Sequence, residues 1–238
     1  MSVLLLRLAG PLQSWGVKSR FTVRGTELAP TKSGVIGMLA AAVGRRRTDP
    51  IEDLLSLRFG VRKDQPGTVL RDFHTARTLD GKQSMPLSKR YYLADAVYLA
   101  AIEGEKTLLE GLDVAVRHPV FPLYLGRRSC PPSQPLSLGI RHASLLQALT
   151  DEPWQAADWF RLRQDNSFRA EIVIDAASLA PDERGSGYTT LDSPVSFDPR
   201  RRDYQAREVE RVFVPVGDSD RPDSHDPMSD IEEAGRCS

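Results

Sequence analysis

The residues best suited to chemistry in this chain lie in the segment PTKSGVIG at 30–37. Thr31 and Ser33 are residue types that cap the start of a helix. A helix N-terminus carries partial positive charge and unpaired backbone N–H groups, so a phosphate can bind there. Lys32 adds a full positive charge, and Gly34 keeps the first turn free of bulky side chains. The segment therefore predicts an anion site, although many helices begin in this way and bind nothing.

The same segment is not a nucleotide-binding P-loop. That motif, G-x-x-x-x-G-K-[ST], places its glycines before the Lys-Ser pair, whereas Lys32 and Ser33 precede the glycines here. Acid–base catalysis on a bound phosphate would need a general base and a general acid near that phosphate. His74, His118 and His142 are candidates by residue type, but no titratable pair is close enough in sequence to argue for catalysis. The sequence therefore predicts binding rather than catalysis.

Further candidates for contact with a polyanion lie on both sides of the predicted helix. The basic ones are Arg20, Arg24, Lys89, Arg90, Arg127 and Arg128. Arg127 and Arg128 belong to a glycine-led turn, Gly126 to Ser129, between prolines. Trp15 and Tyr91 are candidates for stacking on bases, although aromatic residues in such positions also pack in cores. His74 follows a predicted strand and precedes a basic arm, so it is a further candidate for contact with the polyanion.

Composition separates the chain into a basic part and an acidic part. Overall, 32 Lys and Arg balance 32 Asp and Glu, but residues 1–150 carry 21 basic and 12 acidic side chains, and residues 151–238 carry 11 and 20. A basic part suits a polyanion, and an acidic part suits solvent or a basic partner. Cys130 and Cys237 make no disulfide framework, and ligand spacing for a metal is absent. We therefore expect a cytoplasmic protein with no cofactor, no metal and no membrane segment.

Hydrophobic periodicity indicates the elements that must position these residues. In chain order we expect a strand at 3–8, a helix at 31–43, strands at 57–62, 68–74 and 91–102, a helix at 106–117 and a strand at 136–142. Asp64, Pro66 and Gly67 read as the turn between the second and third strands. Asp80-Gly81 marks a hairpin over 75–90, which is poor in apolar residues and therefore reads as a projecting arm.

This order of elements predicts an α+β fold: a modified ferredoxin-like or RRM-like domain, with two helices against one sheet. We expect this domain to span residues 1–142, including a thumb at 75–90. A smaller, β-rich C-terminal portion at 143–216 would pack on it, and the acidic segment 217–238 would be disordered. The aromatic signature of RNA-binding RRM sheets is absent, so we do not expect bases to stack on the sheet in the usual way.

Five segments in order along the chain carry a family resemblance. They are LLLRLAGPLQSWG at 4–16, PTKSGVIGMLAAAVGR at 30–45, GVRKDQPGTVLRDFHTA at 60–76, RYYLADAVYL at 90–99 and PLYLGRRSCPP at 122–132. Together they resemble the CasD family, the subunit of type I-E CRISPR Cascade that holds the 5′ handle of the guide RNA. The resemblance covers residues 1 to about 142, and the C-terminal third matches less distinctly.

The resemblance implies a non-catalytic subunit of a multi-subunit surveillance complex. Such a subunit would bind the 5′ handle of CRISPR RNA, cap the CasC backbone, contact the large CasA subunit and meet target DNA only through the complex. Its thumb, at 75–90 here, would kink the RNA between handle and guide. Two alternatives remain: a metal-independent endoribonuclease that processes precursor CRISPR RNA, as in type I-C relatives with a Tyr, Lys and His group, and an RNA-binding protein outside any CRISPR complex.

Overall fold

The computed structural model describes residues 1–16, 19–20, 22–165, 167–185 and 187–216. The predicted tail at 217–238 lies outside the described residues. Five α-helices are described: α1 Lys32–Ala42, α2 Glu52–Leu55, α3 Lys106–Arg117, α4 Leu145–Asp151 and α5 Asp158–Arg161. Short 3₁₀ turns follow at Ala176–Ser178 and Pro181–Glu183. Among the described residues, no helix combines the length and the apolar character that crossing a bilayer requires.

Seven strands form the main sheet, in the order β11-β12-β10-β5-β8-β1-β9. Their bounds are β1 Ser2–Ala9, β5 Arg58–Gln65, β8 Val97–Gly104, β9 Ser137–Arg141, β10 Arg169–Asp175, β11 Tyr188–Ser196 and β12 Asp203–Pro215. The series β1-α1-β5-β8-α3-β9 is the strand–helix–strand–strand–helix–strand order that the sequence predicts. The mixed α+β class is therefore confirmed, and the C-terminal portion adds β10, β12 and β11 to the edge of the same sheet.

Both faces of this sheet are covered at its centre, which explains why β1 is almost wholly apolar. Leu4 and Leu6 point into a core formed with α1 and α3, whereas Val3 and Leu5 point into a second core beneath α4. Successive side chains of a strand alternate between faces, so each face of β1 needs its own apolar set. The face of the sheet opposite α1 and α3 is thus covered by α4.

A second, five-stranded sheet carries the projecting arm. It contains β2 Leu12–Gln13, β3 Ser19–Arg20, β4 Val23–Arg24, β6 Thr68–His74 and β7 Ser88–Ala94. Strands β6 and β7 pair antiparallel, from Thr68 opposite Ala94 to His74 opposite Ser88. The chain between them, which we call the thumb tip (residues 75–87), turns at Gly81, whose φ is +71°, and almost all of its residues are exposed.

Two local predictions are wrong for reasons of tertiary packing. The expected single strand at 91–102 is broken at Asp95, where a φ of +56° lets the chain leave the second sheet and enter the main one. Asp64, expected in the turn with Pro66 and Gly67, is buried within β5, and the turn contains only Pro66 and Gly67. Gly67 has a φ of +69°, and an added Cβ would lie 2.4 Å from the Ala94 carbonyl oxygen, so a side chain has no room there.

The buried Asp64 belongs to an ion pair that fastens α4 to the sheet. The Arg62 side chain has no exposed surface, and its Nε lies 2.6 Å from Asp64 Oδ1. Its two terminal nitrogens also donate to the carbonyl oxygens of Leu149, Glu152 and Pro153, at 2.6–3.0 Å. Because every N–H of the guanidinium has an acceptor, this buried charge is fully compensated.

Replacement of Arg62 tests this attachment. Arg62→Ala would leave the Asp64 carboxylate buried without its counter-charge and free the carbonyls beyond α4, so the free energy of unfolding should fall by about 3–5 kcal/mol. Arg58, on the same strand, forms only a loose 3.8 Å pair with Glu103 and is the matched control. Arg58→Ala should lower the value by less than about 1 kcal/mol in the same urea titration. Equal losses would show that the Arg62 network contributes no special stability.

Candidate nucleic-acid interface

The N-terminus of α1 is formed as the sequence predicts, but a carboxylate of the same chain occupies it. Thr31 caps the helix by accepting a bond from the Gly34 backbone N–H at 3.2 Å. The Lys32 backbone N–H donates to Asp192 Oδ2 at 2.8 Å. Asp192 comes from β11, and its negative charge takes the position at the helix end where a phosphate was expected.

The Lys32 side chain is also committed within the protein. Its Nζ lies 3.0 Å from Asp175 Oδ2, and both side chains are about nine-tenths buried. Arg207 joins the two carboxylates, with Nη1 2.6 Å from Asp175 Oδ1 and Nε 2.6 Å from Asp192 Oδ1. Burial disfavours the Arg207 charge, but the bonds to Asp192 and the proximity of Asp175 outweigh it, so the net effect is a raised pKa. Lys32 therefore stabilises the fold and offers no free charge to a phosphate.

The Trp15 ring packs against Gly34 at the start of α1. Trp15 is fully buried, and its indole N–H donates to Gln13 Oε1 at 3.0 Å. A Cβ on Gly34 would lie 2.8 Å from the Trp15 ring, so only glycine lets α1 begin this close to it. The expectation that Trp15 stacks on a base is thus corrected, because its ring is enclosed by the core. Ser33 is buried beside Thr31.

The glycine-led turn is held against the second sheet by Arg127. Gly126 has a φ of +88°, and an added Cβ would lie 1.9 Å from the Ser14 carbonyl oxygen. The Arg127 terminal nitrogens donate to the carbonyl oxygens of Tyr91, Arg24 and Gly25, at 2.9–3.2 Å. Its guanidinium also lies over the Tyr92 ring, 5.0 Å from the centroid. Arg127 is thus a cross-link within the protein, whereas the neighbouring Arg128 is exposed.

These elements surround a groove of about 680 Å³, which we call the arginine groove. Its lining comprises Ser14, Trp15, Gly16, Arg24, Thr31, Ser33, Gly34, Arg47, Arg90, Gly126, Arg127, Arg128, Ser129, Phe197, Arg202 and Tyr204. Nine of the residues predicted to bind are among them. Six arginines contribute, and the described lining contains no Asp, Glu, Lys or His. Such a surface attracts anions and has no carboxylate of its own to neutralise them.

A second cavity of about 410 Å³, the adjoining cavity, continues the arginine groove along α1. Its floor is apolar, with Met38 from α1 and Phe121 and Tyr124 from the loop after α3. Arg46 lies at its edge, and Phe197, Arg47, Arg128 and Arg202 are shared with the arginine groove. The two cavities form one basic track with aromatic side chains along it.

The remaining predicted residues lie outside this groove. Lys89 and Tyr91 are on β7 but are not part of the lining, and the Arg20 side chain lies outside the described residues. His74, at the end of β6, pairs through Nε2 with Asp72 Oδ2 at 2.6 Å. His118 caps the end of α3, and His142 follows β9, so the three histidines are on separate elements. In the described part of the chain, no cluster of His, Cys, Asp and Glu could hold a metal ion.

Seven lining residues were not predicted to bind, and four of them have charged or aromatic side chains: Arg47, Phe197, Arg202 and Tyr204. Arg47 belongs to the run Arg45-Arg46-Arg47 after α1, which is also typical of a solvated helix end. Arg45 of this run pairs with Asp53 of α2. Phe197, Arg202 and Tyr204 come from the turn between β11 and β12 and the start of β12, and only the tertiary structure brings this distant part of the chain to the groove.

Fold and groove together define a mixed α/β protein with a surface suited to a polyanion. The family model described as CRISPR-associated protein (Cas_Cas5) matches residues 3–210, and the chain belongs to this family. CRISPR system Cascade subunit CasD of Escherichia coli (strain K12) is 37% identical over 164 residues, which cover 60% of this chain and 73% of that protein.

Two solved structures agree with this assignment. One, described as a crystal structure of a Cas protein, is 37% identical, has a TM-score of 0.69 and matches 92% of this chain and 100% of its own. A chain from a CRISPR RNA-guided surveillance complex is 31% identical, has a TM-score of 0.74 and matches 97% of this chain and 98% of its own. The five sequence segments end near residue 142, whereas the family model reaches residue 210 and the structural matches cover nearly the whole chain.

The adjacent residues Arg127 and Arg128 allow a matched test of the turn. Arg127→Ala removes bonds to three carbonyl oxygens and a ring contact, so the free energy of unfolding should fall by about 2 kcal/mol. Arg128→Ala removes an exposed side chain, for which we expect a change within about 0.5 kcal/mol. Thermal unfolding of the two variants beside the unchanged chain measures the difference. An equal effect of both substitutions would contradict the structural role of Arg127.

Proposed function

We propose that this chain is a subunit of a Cascade-type CRISPR surveillance complex, and that its arginine groove binds the single-stranded 5′ handle of the CRISPR RNA without cutting it. The observation that carries the proposal is the groove itself: its described lining contains six arginines, among them the exposed Arg47 and Arg128, and no acidic residue. The family assignment and the CasD relative supply the biological setting.

The charge of the groove supports an RNA ligand. Six arginines line it, and none of its described lining residues is acidic. Arg128 and Arg47 are exposed, and the structure shows no ion-pair partner for either within its described ranges. A phosphodiester backbone brings one negative charge per nucleotide, so a strand in the groove would meet these guanidinium groups in succession.

The aromatic residues favour a single strand over a duplex. Phe197 and Tyr204 line the groove beside Arg202, which lies 5.9 Å from the Tyr204 ring centroid. Bases of a single strand are free to stack on aromatic rings and on arginine planes, whereas bases in a duplex are already stacked. The apolar floor of the adjoining cavity offers room for a base next to the basic track.

The composition of the lining also supports binding without cleavage. Attack by a 2′-OH needs proton transfer at one phosphate. The described lining of the groove holds neither His, Lys, Asp nor Glu, and His74, His118 and His142 lie on separate elements. The structure therefore offers no specific observation in favour of the endoribonuclease alternative.

The partners of the complex follow from the same proposal. We assign the thumb tip and the sheet that bears it to contact with the CasC backbone and with the boundary between handle and guide. Phe73, Leu79 and Leu87 on this arm are exposed apolar side chains, which suit a protein neighbour. The CasA subunit would lie nearby, target DNA would be met through the complex, and the assembly would act in the cytoplasm.

Binding of labelled handle RNA tests the proposed function. The double variant Arg47→Gln/Arg128→Gln should weaken binding by about tenfold or more, and the slope of log K against log salt should become shallower by about 1.4, because two phosphate contacts are lost. Lys106→Gln, an exposed change on α3, is the control and should leave both quantities unchanged. Retention of full-length RNA during the incubation should accompany binding.

Two results would refute the proposal. One is the absence of salt-dependent RNA binding by the unchanged chain, both alone and co-expressed with the other Cascade subunits. The other is metal-independent cleavage of repeat RNA by the purified chain.

A further inference from the structure

Two arginines of the groove are direct neighbours on paired strands. Strands β4 and β7 run parallel, and their register places Arg24 beside Arg90. Both residues line the arginine groove. Like charges at paired positions of a sheet repel each other, so this pairing destabilises the free protein unless an anion lies between the two side chains.

Within the described residues, neither Arg24 nor Arg90 forms an ion pair with a carboxylate. Asp72 is the acidic residue nearest in register, opposite Arg90 on the other edge of β7. The Asp72 carboxylate forms its contacts elsewhere: it accepts a hydrogen bond from the Phe73 backbone N–H at 2.7 Å and lies 2.6 Å from His74 Nε2. Arg24 and Arg90 are therefore neighbours in register that both line a groove whose described lining has no acidic residue.

Arg90 carries a second unfavourable feature. Its Nε is buried and has no hydrogen-bond partner in the structure. An unsatisfied buried donor is unusual in a folded protein and lowers stability. Residues that disfavour the free fold in two independent ways are typical of sites that complete their contacts with a ligand.

We propose that Arg24 and Arg90 form a clamp for one backbone phosphate of the single-stranded nucleic acid. The forked donors of two guanidinium groups match the oxygens of a phosphate, whose charge would relieve the repulsion between them. Arg127 positions the clamp, because it donates to the Arg24 carbonyl oxygen at 2.9 Å and thereby holds β4. The inference rests on the proposed function, since the phosphate belongs to the RNA.

The clamp predicts opposite effects on stability and on binding. In the RNA-free chain, Arg24→Gln and Arg90→Gln should leave the melting temperature unchanged or raise it, because each removes repulsion. Each should weaken binding of labelled handle RNA by about tenfold, the effect of one charge-assisted hydrogen bond. Since both side chains hold the same phosphate, the double variant should bind about as weakly as either single variant. The slope of log K against log salt should become shallower by about 0.7 in the double variant, as in each single variant, because one phosphate contact is lost.

Arg128→Gln supplies the matched control, because Arg128 lies elsewhere in the groove. Combined with Arg90→Gln, its effect on affinity should be additive. Three results would each overturn the clamp. The losses of affinity for Arg24→Gln and Arg90→Gln could be additive in the double variant, either single variant could bind RNA with unchanged affinity, or either single variant could melt at a lower temperature than the unchanged chain. In all these outcomes the chain without substitutions binds RNA. If the proposed function itself is wrong, that chain does not bind RNA, so the two failures can be told apart.

Discussion

The arrangement of the groove depends on the buried ion cluster at the start of α1. Lys32 and Arg207 face Asp175 and Asp192, with contacts of 2.6–3.0 Å. The cluster joins the first helix to β10, β11 and β12, so the C-terminal strands are fixed relative to the N-terminal half. The sheet already pairs β12 with β10 and β10 with β5, and the cluster adds a direct link from β10, β11 and β12 to the start of α1. The turn between β11 and β12, which supplies Phe197 and Arg202, thereby forms one wall of the groove beside the helix start.

The same cluster explains why a helix N-terminus with a lysine is not itself the anion site. Asp192 satisfies the first backbone N–H of α1, and Asp175 satisfies the ammonium group of Lys32. The exposed positive charge lies instead on arginines of four separate segments around the helix. The guanidinium group suits this position, since it is planar, remains charged and is weakly hydrated.

Arg127 and Arg128, which are adjacent in the turn after Gly126, have different roles. Arg127 donates hydrogen bonds to backbone carbonyl oxygens and holds the turn in place, while Arg128 remains exposed. Gly34 and Gly126 are needed because another group lies within 3 Å of where their Cβ atoms would be. The glycines thus serve close packing around Trp15 and Ser14, which shapes the groove from below.

Local patterns in the sequence were sufficient for α1, α3, β1, the hairpin around Gly81 and most of the arginines, because periodicity, capping residues and charge are properties of short segments. They could not show that Lys32 and Trp15 are buried, since their partners lie elsewhere in the fold: Asp175 is distant in the chain, and Gly34 reaches Trp15 only when the helix packs. Nor could they place Phe197, Arg202 and Tyr204 at the groove. Only the tertiary structure decides which charges meet a carboxylate of the same chain and which remain for a ligand, because that choice depends on contacts between distant segments.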